Sequence, residues 1–246
     1  MPKLSVTIIT LNEAKRIREC IASVSFADEV LVVDSGSSDD TTEIARAAGA
    51  RVIEEPWRGF GPQKQFAVDQ AQNDWVLCLD ADERPSPELA AEICQIMQQP
   101  MFKAYTMPRC NTFLGRWLRH GEGYPDLSLR LFDRRNAVWS KDPVHEKVET
   151  ESEIGQLKAD LMHFSEDGIN AYLAKQNRYT SLQAEQMHTR GKDFSVGQMI
   201  FSPLFRFFKF YILRRGFQDG IPGLIHILIG CMNSFLKYAK LYELKR

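Results

Sequence analysis

Short apolar segments alternate with charged, helix-patterned segments over the first hundred residues, and this alternation limits the possible folds more than any other feature. Runs typical of strands buried on both faces of a sheet lie at Leu4–Leu11, Glu29–Asp34, Arg51–Glu55 and Trp75–Leu79. Helical patterns fall between them, at 12–24, 43–50 and 64–72. Ser86-Pro87 then starts a further helix, because Ser is a good N-cap and Pro suits the first helical position. This order predicts a doubly wound α/β sheet.

Acidic residues follow three of the predicted strands. Glu13, Asp34 and the pair Asp80/Asp82 stand where strands end, and ligands of doubly wound sheets bind outside the carboxyl ends of their strands. Asp34 is suited to accept hydrogen bonds from a nucleobase or ribose. The alternative is that Asp34 and Asp39 only make turn and N-cap bonds.

Asp80-Ala81-Asp82 is the strongest local motif. Two alternate carboxylates at a strand end offer hard oxygen ligands to Mg²⁺ or Mn²⁺. Such an ion holds a diphosphate and acts as a Lewis acid on a departing nucleotide. Acidic triplets are also common in turns, so the motif gains its meaning from its place after the fourth strand.

The net charge of −1 conceals an uneven distribution along the chain. Residues 201–246 contain eight basic and two acidic side chains, a net charge of +6, which leaves −7 on the first 200 residues. Six of the 15 phenylalanines lie within Phe201–Phe217. This composition predicts a basic appendage with its own partner. Nucleic acid is disfavoured as that partner, because no recognition motif accompanies the basic segment.

Basic, aromatic helices favour the surface of an anionic membrane. The alternative is a helical hairpin that packs on the sheet domain or on a second subunit, as in a homo-oligomer. Gly220–Leu236 has no charged residue, but its 17 residues fall short of the roughly 20 that span a bilayer. We therefore predict an element that lies on a surface. Five isolated cysteines are typical of reduced thiols in a cytoplasmic protein.

Three segments, LSVTIITLNE, VLVVDSGSSDDT and WVLCLDADE, resemble family 2 glycosyltransferases of the GT-A fold in their order and spacing, and the likeness covers roughly residues 4–165. Later segments resemble bacterial lipopolysaccharide core β-1,4-glucosyltransferases: DPVHEKVE at 142–149, LMHFS at 161–165 and FYILRRGFQDGIPGL at 210–224. The resemblance implies a Rossmann-like mixed sheet flanked by helices with a C-terminal helical appendage. It also implies an inverting transfer of glucose from UDP-glucose to an inner-core heptose.

The same resemblance assigns roles to particular residues. It implies that Thr10, Glu13 and Asp34 bind the nucleotide, that Asp80 and Asp82 serve a Mg²⁺ or Mn²⁺ ion, and that Asp82 ligates it directly. His163 is the predicted further metal ligand, with a purely structural histidine as the alternative. Lys64 is expected to reach the donor base or phosphates, and Arg130 the diphosphate. Their alternatives are a helix-surface lysine and a strand-edge charge.

The catalytic base has four candidates, Asp126, Asp142, His145 and Glu146. We predict Glu146, which lies in the acceptor-side motif, and expect apolar pocket walls around it to raise its pKa. The alternative is a surface ion pair with Lys141 or Lys147.

The expected organisation is a catalytic domain over residues 1–165 and a helical region over 166–246. Within the first, residues up to about 100 would bind the nucleotide sugar and residues 101–165 the acceptor. Alternatives are a transferase using another nucleotide sugar or a polyprenyl-phosphate acceptor, and a non-catalytic nucleotide-sugar-binding membrane scaffold. A nucleotidyltransferase is disfavoured, because TLNEAKR stands where a glycine-rich phosphate loop is expected.

Overall fold

The structure, a computed structural model, describes residues 2–140, 146–165 and 168–246. The chain divides into two compact units, one formed by Met1–Arg109 and Asp126–Phe164, the other by Cys110–Pro125 and Ser165–Arg246. The predicted organisation has one boundary, at residue 165. In the structure, Cys110–Pro125 also belongs with the C-terminal helices. The roles assigned to the predicted domains stay predictions.

A mixed sheet forms the centre of the first unit. Its strands are β1 (Leu4–Thr10), β2 (Glu29–Asp34), β3 (Arg51–Glu54), β4 (Trp75–Asp80), β5 (Glu83–Pro85), β6 (Ala104–Phe113, which continues into the second unit), β8 (Asp126–Asp133), β11 (Ile154–Gln156) and β12 (Leu161–His163). The main order is β3-β2-β1-β4-β8-β6-β12-β5, and β11 pairs with β6. Strands β1 to β4 pair in parallel, whereas β8 is antiparallel to β4. A separate pair is formed by β9 (Ala137–Trp139) and β10 (Val148–Thr150). The predicted α/β class is confirmed.

The apolar runs become central strands because both of their faces are covered. All seven residues of β1 are buried. Val6 and Ile8 pack in the larger core cluster, whereas Ile9 packs with Leu31 and Val33 in another. A continuous apolar run without alternation is the pattern that such a strand requires.

In the described part of the first unit, the sheet is flanked by the helices α1 (Ile17–Ala22), α2 (Thr41–Ala47), α3 (Phe60–Gln70) and α4 (Pro87–Ile96). The predicted Ser86 cap of α4 is confirmed, since the Ser86 hydroxyl accepts the Leu89 N–H at 3.1 Å. The first helix is shorter than the predicted 12–24. Asn12 adopts a left-handed backbone with φ 56° and accepts the Ser38 N–H at 2.8 Å, so the chain forms a loop there.

The second unit is helical. It contains β7 (Arg116–Trp117), α5 (Ile169–Thr189), α6 (Val196–Phe207), a π-helical turn over Phe208–Leu213, a 3-10 turn over Gly216–Asp219 and α7 (Gly220–Leu244). The segment 110–125 is held by these helices. Asp219 accepts the His120 N–H at 2.8 Å, and Arg206 Nε donates to Glu122 at 3.0 Å.

One described segment, Gly216–Leu244, is long and apolar enough to cross a membrane by length and composition, and 33% of its most apolar window is buried within the protein. The sequence predicted that the uncharged stretch Gly220–Leu236 is too short to span a bilayer. Helix α7 is longer than that stretch, because it continues through charged residues to Leu244.

Candidate active site

Three polar residues lie at the carboxyl edge of the parallel strands. The register pairs Thr10 of β1 with Asp34 of β2, and Ile9 with Asp80 of β4. Thr10 is 5% exposed, and its hydroxyl has no hydrogen-bond partner among the described residues. The structure thus brings Thr10, Asp34 and Asp80 to one edge, where the sequence predicted a ligand site.

The carboxylate of Asp34 accepts hydrogen bonds from the turn that follows it. One carboxylate oxygen accepts the N–H groups of Gly36 at 2.9 Å and Ser37 at 2.8 Å, and the other accepts the Ser37 hydroxyl at 2.5 Å. The residue is only 1% exposed. Gly36 has φ 96°, a left-handed conformation that favours glycine. Asp34 therefore makes the turn bonds that the sequence analysis gave as its alternative role.

Glu13 and Asp39 hold the neighbouring loop. Glu13 forms an ion pair with Arg16 at 2.9 Å, and burial raises the pKa of its carboxyl group. Asp39 accepts the N–H groups of Ala14 at 3.2 Å and Thr41 at 3.1 Å. Asp39 therefore makes turn bonds at the start of α2.

Lys64 links the carboxylates of Asp80 and Glu146. Its ammonium nitrogen lies 3.1 Å from Asp80 Oδ1 and 3.3 Å from Glu146 Oε1, although Glu146 is 82 positions away in sequence. Lys64 is 4% exposed and lies 4.9 Å from the centre of the Trp139 ring. It is therefore a buried lysine and not a helix-surface one.

Arg130 is the second buried cation of the site. Its Nη2 donates to Asp80 at 3.3 Å and to Glu83 at 2.9 Å, while Nε and Nη1 have no hydrogen-bond partner among the described residues. Burial by itself would raise the pKa of Asp80, but the positive charges of Lys64 and Arg130 outweigh it and hold that pKa below its usual range. Asp80 is therefore a carboxylate anion. Arg130 is buried as well, at 5% exposed.

Glu83 is a central residue that the sequence did not single out. It is fully buried and accepts hydrogen bonds from the Asp80 N–H at 3.0 Å and Arg109 Nη1 at 3.2 Å, in addition to Arg130. Arg109 and Trp139 were missed too, the latter lying 5.6 Å from the Arg130 guanidinium. The available signal for Glu83 is its place directly after Asp-Ala-Asp. Arg109 and Trp139 have no comparable local signal.

Asp82 and His163 meet where β5 pairs with β12. His163 lies opposite Glu83 in that antiparallel pairing, and its Nε2 is 3.1 Å from Asp82 Oδ2. A carboxylate oxygen and an imidazole nitrogen are donors that Mn²⁺ accepts, and Mg²⁺ also binds through one or two carboxylates plus phosphates. No group of three or more His, Cys, Asp or Glu residues suited to a metal occurs in the described part of the chain. The Asp82–His163 pair thus offers one carboxylate and one imidazole donor to such an ion.

The other candidates for the base differ in position. Asp126 is paired with Arg109 at 3.0 Å. Asp142 and His145 lie outside the described residues. Glu146 Oε1 lies 3.3 Å from the Lys64 ammonium nitrogen. Its expected alternative partner Lys147 instead lies 3.7 Å from Glu149.

The mixed sheet with its flanking helices is the GT-A fold. One solved structure with this fold is Mycobacterium tuberculosis glucosyl-3-phosphoglycerate synthase in complex with phosphoglyceric acid, with a TM-score of 0.51 and 18% identity over 80% of this chain and 82% of that chain. Another is S. aureus TarS 1–349 in complex with UDP-GlcNAc, with a TM-score of 0.50 and 17% identity over 95% of this chain and 81% of that chain. The chain belongs to glycosyl transferase family 2, whose family model matches residues 5–150.

Similar sequences extend this assignment over the whole chain. An uncharacterized glycosyltransferase of Rickettsia typhi is 35% identical over 99% of this chain and 88% of its own length. The lipopolysaccharide core biosynthesis glycosyltransferase LpsC of Rhizobium meliloti is 32% identical over 99% of this chain and 94% of its own length.

Proposed function

We propose that the chain transfers glucose from UDP-glucose to an inner-core heptose of lipopolysaccharide, with inversion at the anomeric carbon. The observation that carries this proposal is the meeting of Lys64, Asp80, Arg130 and Glu146 next to the Asp82–His163 pair. Similarity to LpsC over nearly the full chain supports the acceptor. We place the enzyme in the cytoplasm, on the inner face of the cytoplasmic membrane, consistent with its five free cysteines.

The nucleotide would bind at the edge of β1 and β2. The Thr10 hydroxyl, which has no hydrogen-bond partner among the described residues, and the Glu13 carboxylate offer polar contacts to uridine. Asp34 would act on the nucleotide mainly by fixing the Gly36–Ser37 turn, since its oxygens accept bonds from that turn.

The diphosphate would bind near the two buried cations. Lys64 has three N–H donors, and its two carboxylate contacts leave one for a phosphate oxygen. Arg130 keeps Nε and Nη1 without a partner among the described residues. Fixed cations at a departing diphosphate stabilise the charge that develops there.

Asp82 and His163 would hold the Mg²⁺ or Mn²⁺ ion, with Asp80 beside them. When bound, the ion supplies Lewis-acid stabilisation of the leaving diphosphate. Asp80 contributes a carboxylate that Lys64 and Arg130 keep in place.

Glu146 is the proposed general base. It accepts the proton of the acceptor hydroxyl as that oxygen forms a bond to the anomeric carbon. The bond from this carbon to the diphosphate oxygen breaks, and its electron pair leaves with UDP. One in-line displacement of this kind inverts the configuration, through a transition state of oxocarbenium character.

The test is transfer of labelled glucose from UDP-glucose to core-truncated lipopolysaccharide in the presence of Mg²⁺. We expect Asp82→Ala to abolish incorporation, and Glu146→Gln to lower kcat by about 10²–10⁴-fold with a donor KM close to that of the wild type. No incorporation by the wild type, or full activity of Asp82→Ala, contradicts the proposal. A panel of nucleotide sugars in thermal-shift measurements identifies the donor, because a bound ligand stabilises the folded state.

A further inference from the structure

An exposed apolar face runs along α6 and the π-helical turn that follows it. Its side chains recur mainly every four residues, the spacing that places them on one side of a helix, and each is 46–68% exposed: Val196, Ile200, Phe201, Leu204, Phe205, Phe208, Ile212 and Leu213. No residue of either segment is buried. Single exposed apolar residues need no explanation, but a contiguous set marks an interaction surface.

The opposite side of α6 is already used within the helical unit. Arg206 donates to Glu122 at 3.0 Å and to Ser234 at 3.2 Å. Met199 packs with the buried cluster of Ala184, Tyr238 and Leu241. The helix is thus fixed by its inner side, and the apolar face points away from these contacts.

Charge identifies the partner. Residues 194–218 contain four cations and no acidic residue. Three of the cations, Lys209, Arg214 and Arg215, are exposed, and none of the three has a carboxylate partner in the part of the chain that the structure describes. Apolar side chains beside unpaired cations complement a surface that is apolar within and anionic outside, such as anionic phospholipid. A symmetric contact between two copies would bring like-charged segments together.

The long helix α7 packs within the helical unit. Two polar side chains in its C-terminal half bond to α5: Asn233 donates to Gln176 at 2.7 Å, and Lys240 to Asn177 and Ser181 at 2.7 and 2.8 Å. A bilayer-spanning α7 would put Asn233 and His226 in hydrocarbon, where polar side chains are unfavourable. α7 is therefore suited to be a bundle helix.

We infer that the face of α6 and the π-helical turn lies flat in the surface of an anionic membrane, with its apolar side chains in the lipid and Lys209, Arg214 and Arg215 at the headgroups, while α7 does not span the bilayer. The inference stands independently of the proposed transfer reaction, because vesicle binding is measured without donor or acceptor.

The experiment is co-sedimentation of the full chain with vesicles of phosphatidylethanolamine and phosphatidylglycerol, and with vesicles of phosphatidylcholine alone. We expect binding to the anionic vesicles only. The double variant Phe201→Ser/Phe205→Ser should weaken binding at least about tenfold, and Lys209→Gln/Arg215→Gln about tenfold or more. Met101→Ser is the matched control, since Met101 is 86% exposed in the other unit, and it should bind as the wild type does.

Further outcomes distinguish flat membrane binding from a membrane-spanning α7 and from a contact between subunits. Alkaline carbonate should release the chain from native membranes, and a chain that resists extraction contradicts the flat orientation by placing α7 across the bilayer. Unchanged vesicle binding of both double variants also overturns the inference. So does a wild-type dimer in solution that Phe201→Ser/Phe205→Ser dissociates, because the face would then be a subunit contact. Unchanged UDP binding by the variants keeps these results separate from a failure of the proposed function.

Discussion

At the residue scale, the site is a balanced set of buried and half-buried charges. Each of three cations contacts at least one of three carboxylates: Lys64, Arg109 and Arg130 against Asp80, Glu83 and Glu146. Buried ion pairs add little net stability, because desolvation offsets their attraction. Their value here is positional, since Glu83 fixes both the Asp80 backbone and the Arg130 side chain.

Removing the charge of Glu83 should therefore be costly. We expect Glu83→Gln to lower the free energy of unfolding by about 3 kcal/mol, because Arg109 and Arg130 lose their shared anion inside the protein. Urea denaturation measures this change. Glu54→Gln is the control: Glu54 pairs with Arg46 at 2.9 Å but its side chain is 65% exposed, so its loss should cost less than about 1 kcal/mol. Equal effects of the two variants contradict the central role of Glu83.

At the scale of elements, the start of α3 sets the position of Lys64. A Cβ on Gly61 would overlap the carbonyl oxygen of Ser140 and lie 3.4 Å from Glu146 Cβ. Glycine thus allows α3 to approach the segment that carries Glu146. This close approach explains how Lys64, one turn further along, reaches both Glu146 and Asp80.

We expect Gly61→Ala to destabilise the protein by about 1–3 kcal/mol, because the backbone must move to admit the methyl group. Thermal or urea unfolding measures the change. Gly197→Ala in the first turn of α6 is the matched comparison, because the nearest atom to its added Cβ is 3.7 Å away. That variant should be more stable by about 0.5–1 kcal/mol, since alanine favours a helix over glycine. A neutral Gly61→Ala would show that α3 is not tightly seated.

A second prediction at this scale concerns His226 of α7, which lies against Phe113 and Tyr172 at ring distances of 5.3 and 5.9 Å. Burial, aided by the charge of Arg206 and opposed by that of Asp219, lowers the pKa of His226 to about 4. The unfolded chain has the ordinary pKa near 6.5 and binds the proton first as the pH falls. His226 therefore makes stability decline from about pH 6.5 down to about pH 4.

Replacing His226 by phenylalanine should remove this part of the acid sensitivity. Between pH 7.5 and 4.5 we expect the wild type to lose about 2–3 kcal/mol more stability than His226→Phe. Urea titrations at both values measure the difference. His188→Phe, at an exposed position at the end of α5, should keep the wild-type dependence. Parallel pH profiles of the wild type and His226→Phe would show that this histidine does not titrate as inferred.

At the scale of the whole molecule, the helical unit includes a segment from the middle of the chain. Leu118 packs in one cluster with Phe113 and Ile229, and His120 and Glu122 are bound by Asp219 and Arg206. Removal of the C-terminal helices would therefore leave apolar and charged groups of segment 110–125 without partners.

We expect a chain ending at Ser165 to bind a hydrophobic dye and to self-associate, because Phe113 and Leu118 become exposed. Dye fluorescence and size-exclusion chromatography measure both effects, with the full chain as the reference. A monomeric, dye-negative truncated chain with an unchanged Tm would mean that segment 110–125 needs no helical partner. Point substitutions on α6 are for this reason better probes of membrane binding than truncation.

The sequence alone determined the parallel strands, the Ser86 cap and the acids at strand ends. These features depend on local periodicity and on short-range capping, which are visible within a few residues. The motifs LSVTIITLNE, VLVVDSGSSDDT and WVLCLDADE were enough to predict the family that the comparisons confirm. The apolar and basic character of residues 201–217 was also visible in sequence.

Only the tertiary structure decided which side chains meet. Lys64 and Glu146 are 82 positions apart, and Asp82 and His163 are 81 apart. Their contacts depend on the packing of α3 and on the antiparallel pairing of β5 with β12, neither of which has a local signal. The same holds for Glu83, whose role follows from the arginines of β6 and β8, and for Asp34, whose oxygens are taken up by its own turn. The secondary structure of a segment depends mainly on residues close to it in sequence. The site, by contrast, joins distant segments, and their contact depends on the packing of the whole sheet.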